Sequence, residues 1–234
     1  MEEMYETLEA GLTALGLETD EKTRRKLCRF GEAVVRQNAV MNLTAITQPE
    51  QVAKLHLLDS LTLLQCAPLS GKTLIDVGCG AGFPGVPVAI ACPDTQVTLL
   101  DSLAKRMNWL SSALPALEIP NARCVTARAE EEASRCRERF DYAASRAVAR
   151  LNILLELTAP FVRVGGAVLA MKGAAAREEL QEAKNAVAKL GLQVEAVRDF
   201  PVDEAVHSVI VLRKVKPTPA QYPRRYARIK QSPL

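Results

Sequence analysis

Between Thr73 and Gly85 the chain reads Thr-Leu-Ile-Asp-Val-Gly-Cys-Gly-Ala-Gly-Phe-Pro-Gly, and few folds accommodate such a stretch. Thr73 to Val77 are mostly apolar, the mark of a strand buried on both faces. Gly78, Gly80 and Gly82 follow at alternate positions. Lacking a Cβ, they admit positive φ and let a ligand lie against bare backbone. Pro84 suits the first turn of a helix, where its missing N–H is no loss. A strand, a bare loop and a helix start together make a nucleotide-binding corner.

The loop fits two cofactors. Gly80 to Gly85 match the dinucleotide fingerprint G-x-G-x-x-G. Asp76 to Gly82 match the acid-x-G-x-G-x-G loop of class I S-adenosylmethionine (SAM) methyltransferases. In either case Asp101, which ends the next apolar run with Ser102 beside it, takes ribose hydroxyls.

The rest of the chain narrows the choice. Hydrophobic residues make up 48% and aromatics only 4% of 234 residues, so a sizeable, aliphatic core is expected. No apolar run has the length of a membrane span, and the acidic start lacks a signal peptide's positive charge. The six cysteines include no C-x-x-C pair and no zinc-type spacing, which points to reduced thiols in the cytoplasm and no metal.

Residues 1–70 read as a helical cap. Met4, Leu8, Leu12 and Leu15 share one helical face, and Asp20 is placed to cap a second helix with Leu27, Phe30 and Val34 inward. Thr47-Gln-Pro-Glu50 has the pattern of a capping box and opens a leucine-rich helix to about Cys66. From residue 71 to 215, strands at 73–77, 96–101, 123–127, 140–145 and 167–172 alternate with helices. Ser102 is placed to cap one helix, Leu151 to Val162 form another stopped by Gly165-Gly166, and Leu180 to Leu190 a third. Strands at 193–197 and 208–212 close the domain, and the alternation argues for a doubly wound α/β sheet. About ten residues without helical period join these last two strands, too few for a parallel crossover. An antiparallel last strand belongs to the Rossmann-like seven-stranded sheet of class I SAM methyltransferases, not to a dinucleotide domain. A NAD-linked oxidoreductase stays as the alternative, since the loop alone admits it.

In such folds substrates meet the cofactor beyond the carboxyl ends of the strands. The fourth strand ends Ala144-Ser-Arg-Ala-Val-Ala-Arg150, with no N-P-P-Y turn and no nucleophilic cysteine. Lys172 is one member of a ribose-methylating Lys-Asp-Lys-Glu set, but the strand supplies no Asp. An acceptor needing no base remains. Guanine N7 has a free lone pair, so catalysis rests on in-line alignment.

Asn42-Leu-Thr44, His56-Leu-Leu-Asp59-Ser60, Ile75 to Gly85, Leu99 to Ser102, Lys105-Arg106, Ser145-Arg-Ala147 and Lys172-Gly173 occur in this order. Together with Tyr222-Pro-Arg-Arg225 and Ser232-Pro-Leu234 they resemble the RsmG (glucose-inhibited division protein B) family over nearly the whole chain. The resemblance implies SAM-dependent methylation of guanine N7 in 16S ribosomal RNA, either as free RNA or within a small-subunit particle. It implies SAM contacts at Gly78, Phe83, Ala129, Glu130 and Arg146. Position supports three of these: Gly78 opens the loop, Glu130 follows strand three where adenine is met, and Arg146 ends strand four. No general base is expected. Arg146, His56, Asp59, Ser60, Asn42 and Lys172 are the candidates for positioning substrate, His56, Asp59 and Ser60 sharing a helical face. A non-catalytic RNA-binding assembly factor retaining the fold is a further alternative.

Residues 1–21 hold seven acids and no Lys or Arg, whereas residues 213–234 hold seven bases and no acid. The tail at 216–234 has prolines at 217, 219, 223 and 233, which argue against a helix. Tyr222 and Tyr226 alternate with Arg224, Arg225 and Arg228, with Lys230 following. With Lys105 and Arg106 they form the expected RNA-binding set of a monomer, rings on bases and cations on phosphates. On this reading the tail orders on RNA, and its removal leaves SAM affinity nearly intact. The alternative has both tyrosines packing back on the sheet domain.

Overall fold

The computed structural model describes residues 2–234. Helices α1 (Glu2–Ala14) and α2 (Glu21–Asn38) come first. The Asp20 carboxylate caps α2 by accepting from Thr23 N at 2.7 Å. Next come α3 (Pro49–Val52), a π-helical segment (Ala53–Leu58), α4 (Asp59–Leu61) and α5 (Leu63–Cys66). The sheet domain follows: β1 (Thr73–Val77), α6 (Gly85–Ala91), β2 (Gln96–Asp101), α7 (Ala104–Ala116), β3 (Ala122–Thr126), α8 (Ala129–Arg135) and β4 (Phe140–Arg146). Then run α9 (Leu151–Thr158), a 3₁₀ turn (Ala159–Phe161), β5 (Val162–Lys172), α10 (Ala176–Glu182) and α11 (Lys184–Lys189). The chain closes with β6 (Leu192–Phe200), β7 (His207–Lys214) and α12 (Tyr226–Gln231).

Seven strands form one sheet in the order β3-β2-β1-β4-β5-β7-β6. The first five are parallel, and β7 runs antiparallel to both β5 and β6. The strand order reverses at β1, so the ends of β1 and β4 flank the crevice of a doubly wound sheet. The N-terminal helices share one core with a sheet face: Leu8, Leu27, Phe30 and Leu57 join Val86, Leu99 and Leu110. The opposite face buries Leu151, Leu154 and Phe161 against Ile75, Ala143 and Val168.

Several local expectations are corrected. The residues at Thr47–Glu50 form no capping box: Gln48 is the N-cap and its side chain caps nothing. The helix to Cys66 is not continuously α, because a π-helical segment carries His56. Leu103, not Ser102, precedes α7; Leu103 N instead donates to the Asp101 carboxylate at 2.9 Å. The helix from Leu151 ends at Thr158, and Gly165-Gly166 lie inside β5, where a Cβ on Gly166 would come within 2.2 Å of Asp141 O. The helix at 180–190 is two helices meeting at Ala183. The tail is folded on the sheet domain and includes α12, its last proline lying beyond the helix at 233.

Candidate active site

At the carboxyl ends of β1, β2 and β3, a cavity of about 270 Å³ opens between Gly78, Asp101, Ser102, Arg106, Ala129, Glu130, Val148 and Tyr226, among others. Gly78 and Gly80 have φ of +75° and +57°, the left-handed region that favours glycine. A Cβ on Gly80 would project into space whose nearest atom is 4.0 Å away, on Arg106. At Gly78 a Cβ would instead meet Val148 at 2.5 Å, so this side chain of the β4–α9 turn lies against the loop there. Asp101 holds the loop's shape, its two carboxylate oxygens accepting from Gly80 N at 3.0 Å and Leu103 N at 2.9 Å. Each oxygen keeps a lone pair for a diol. Glycine backbone, a carboxylate with free lone pairs and small walls at Ala127 and Ala129 fit SAM.

Of the expected SAM residues, Asp76, Gly80, Gly82, Phe83 and Arg146 do not line this cavity. The Asp76 carboxylate is fully buried beneath the loop, accepting from Gly85 N at 2.7 Å, while its Oδ1 has no partner. Burial pushes its acid up to about 7. Gly82, at φ +99°, faces the core, where a Cβ would meet Val86, Leu110 and Phe30. Phe83 forms the floor of the neighbouring cluster.

That cluster centres on Arg146. Its guanidinium donates to Leu55 O at 2.6 Å and to Asp59 Oδ2 at 3.0 Å, and lies 5.2 Å above the Phe83 ring centroid. Its Nη2 is 3.2 Å from His56 Nδ1. His56 Nδ1 is also 3.1 Å from Leu55 O, and Nε2 is 2.8 Å from Thr44 Oγ1, so both ring nitrogens are engaged. His56 also stacks on Phe83 at 4.6 Å between centroids. Burial, reinforced by Arg146, lowers its pKa to about 4. Asp59 Oδ1 takes a second partner, His207 Nδ1, at 2.9 Å, and that hydrogen bond raises the His207 pKa.

Arg146, His56, Asp59, Lys172 and His207 line a second cavity of about 740 Å³, which shares Ala147 and Val148 with the first. Lys172 is held there by Glu179 at 2.8 Å and by Ala149 O at 2.5 Å. Ser60 is fully buried and donates to His56 O at 2.5 Å, so it supports the π-segment rather than the cavity. Asn42 sits apart with Lys105 and Arg106, beside Val40, which is 80% exposed. Sequence reasoning missed His207 and Val148 as cavity-lining residues, and Tyr226, expected at RNA, lines the first cavity. His207 lies far along the chain from the motifs it joins.

The tail expectation is corrected for two residues. Arg224 is not free for phosphate: its N, Nε and Nη2 donate to the fully buried Glu156 at 2.8, 2.8 and 2.6 Å. Tyr222 packs against the core and its carbonyl accepts from Arg137 at 2.7 Å. Arg225, Arg228 and Lys230 are exposed. Among the described residues no group of three His, Cys, Asp or Glu is arranged to hold a metal, and no helix is long and apolar enough to cross a membrane.

Among solved structures the fold is similar to an O-methyltransferase from Bacillus cereus in complex with SAH (TM-score 0.60, 14% identity, 87% of this chain and 95% of that one). It is also similar to a precorrin-6y C5,15-methyltransferase from Geobacter metallireducens (TM-score 0.51, 15% identity, 74% and 92%). Residues 23–206 match the family model GidB, rRNA small subunit methyltransferase G. A ribosomal RNA small subunit methyltransferase G from Alkaliphilus metalliredigens is 40% identical over 97% of each chain, and one from Clostridium botulinum 35% identical over 99% of each. The glycine corner, the antiparallel seventh strand and these matches agree: this chain belongs to the rRNA small subunit methyltransferase G family and is a SAM-dependent methyltransferase.

Proposed function

We propose that the chain methylates N7 of a guanine in 16S ribosomal RNA, with the flipped or unpaired base in the cavity between Arg146, Lys172 and His207. The state of the bases lining that cavity supports this reading. His56 is neutral but committed at both ring nitrogens; Asp59 is shared by Arg146 and His207; Glu179 is paired with Lys172. These three are engaged; His207 and Asp203 also line the cavity, and N7, having no proton to lose, calls on neither as a base. SAM, when bound, supplies an electrophilic methyl on a sulfonium. The chain aligns the acceptor with it: the Ala147-Val148 backbone separates the two cavities, and the Arg146 network fixes that turn from the N-terminal helices. Asp203, in the β6–β7 loop, also lines the acceptor cavity, and its carboxylate is the acceptor we assign to the guanine N1 and N2 donors.

The finer assignments follow as part of the same proposal: Gly78, Gly80, Asp101, Ser102, Ala129 and Glu130 for SAM, and a monomer acting in the cytoplasm on free or assembled RNA. The large exposed hydrophobics are dispersed valines and one leucine, which suits a monomer. Incubating the protein with SAM and 16S RNA or small subunits, then digesting to nucleosides for mass spectrometry, tests the reading. It expects 7-methylguanosine. Methylation at an exocyclic amine or ribose hydroxyl, or SAM-independent RNA binding alone, overturns it.

A further inference from the structure

Tyr226 lines the SAM cavity, although it lies 125 residues beyond Asp101 and past the end of the family match at residue 206. Ala127, Arg128, Ala129, Glu130 and Leu157 line the same cavity. Those first four residues follow β3, one strand outward from the diol-binding Asp101, which is where a nucleoside's base must lie once its ribose is held. The Arg128 guanidinium stands 4.7 Å over the Tyr226 ring centroid and is itself 3.3 Å from Glu130. The ring is therefore held on one side by a cation and its approach to the cavity is fixed.

The tail that carries it is anchored by buried polar groups. Arg224 is tied to the buried Glu156 on α9, two residues before Tyr226. Arg137 donates to the carbonyls of Thr218, Pro219 and Tyr222 at 2.6, 3.0 and 2.7 Å. Lys214, fully buried, donates to Ala159 O, Val162 O and Thr218 Oγ1. Ile229 of α12 is fully buried. A loosely attached RNA-binding tail would not be fastened at three buried points.

We propose that the C-terminal segment is a wall of the cofactor site, with Tyr226 the surface against which the adenine of SAM packs. This rests on the first cavity being the SAM site. It reverses the sequence expectation that removing the tail leaves SAM affinity nearly intact.

The test is calorimetric titration of S-adenosylhomocysteine into the full-length protein and its Tyr226→Phe, Tyr226→Leu and Tyr226→Ala variants, with the melting temperature of each recorded without ligand. Phe should bind within about threefold of wild type, and Ala about tenfold more weakly, the scale of one lost base–aromatic stack. Leu keeps the apolar cover and so the fold; its affinity should still fall severalfold, because only an aromatic face stacks. Wild-type affinity in the Leu and Ala variants overturns the proposal while leaving the cavity assignment intact. Failure of the wild-type protein to bind overturns the cavity assignment itself.

Discussion

Asp101 and Asp76 show how two carboxylates near one loop take different duties. Asp101 is half-exposed and faces the cavity, so Asp101→Ala should weaken S-adenosylhomocysteine binding by about 1–3 kcal/mol, as calorimetry would register. Asp76 is sealed below the loop, and its acid lies near 7 instead of 3.8. The folded state therefore holds a proton that the unfolded chain releases, and this group subtracts stability as pH rises from about 4 to 7. His56 does the reverse. Its folded pKa of about 4 lies below 6.5, so the unfolded chain binds the extra proton and stability falls as pH drops below 6.5. Urea titrations at pH 4.5 and 6.5 should then separate two variants. Relative to wild type, Asp76→Asn should gain stability toward the higher pH and His56→Gln toward the lower, each by on the order of 2–3 kcal/mol. Equal offsets at both pH values would dismiss these environments. His207 gains a proton-dependent partner in Asp59, so its contribution is present below its ordinary pKa and lost as pH rises through the raised one. His207→Ala should lower turnover and flatten any loss of activity in that alkaline window.

At the scale of elements, the π-helical segment and α12 each bring side chains to the two cavities. A π turn adds a residue to the helical repeat and is often found where side chains are re-aimed for function. Here it brings the Leu55 carbonyl, His56 and Asp59 together on one guanidinium. In α12 the stabilising contact is the Arg224–Glu156 pair at its start. Removing Arg224 leaves a charge at a site that is 0% exposed, which typically costs about 3–5 kcal/mol. Arg224→Ala should lower the melting temperature by roughly 6–20 °C. Replacing both partners by leucine should recover much of that loss, as differential scanning fluorimetry would show. A double variant as unstable as the single one would mean that the pair's worth lies in its geometry and not in its charge balance.

For the whole molecule, net charge is only +3, so RNA affinity depends on where the cations stand. Arg106 of α7 and Tyr226 of α12 line the same cavity. Lys105 on α7 and Arg228 and Lys230 on α12 are exposed cations on the two helices that supply those residues. Each neutralised phosphate contact should reduce the log–log salt slope of RNA binding by roughly 0.7–0.9. Lys105→Ala and Lys230→Ala should each do so in filter-binding titrations, leaving S-adenosylhomocysteine affinity unchanged, whereas Arg224→Ala should not shift the slope beyond its loss of folded protein. A slope indifferent to Lys105 and Lys230 would move the RNA surface elsewhere.

What the sequence determined by itself was local or periodic. The Thr73–Gly85 corner reads directly because a buried strand, alternating glycines and a helix start are all set by residues within thirteen positions. The seven strands are legible from apolar runs, and the antiparallel last strand from the shortness of one connection. Tertiary structure decided the rest. Asp76 and Asp101 each sit at the end of a strand, yet only packing places one under the loop and the other in the cavity. Spacing put Ser60 on a face with His56 and Asp59, but the π turn aims it at the backbone instead. His207 meets Asp59 only because β7 inserts between β5 and β6. Basic composition made the tail look like a solvated RNA ligand, while Arg224 is neutralised by a buried glutamate 68 residues earlier. Charge partners so distant in sequence leave no periodicity to read, since burial and pairing exist only after the sheet has brought them together.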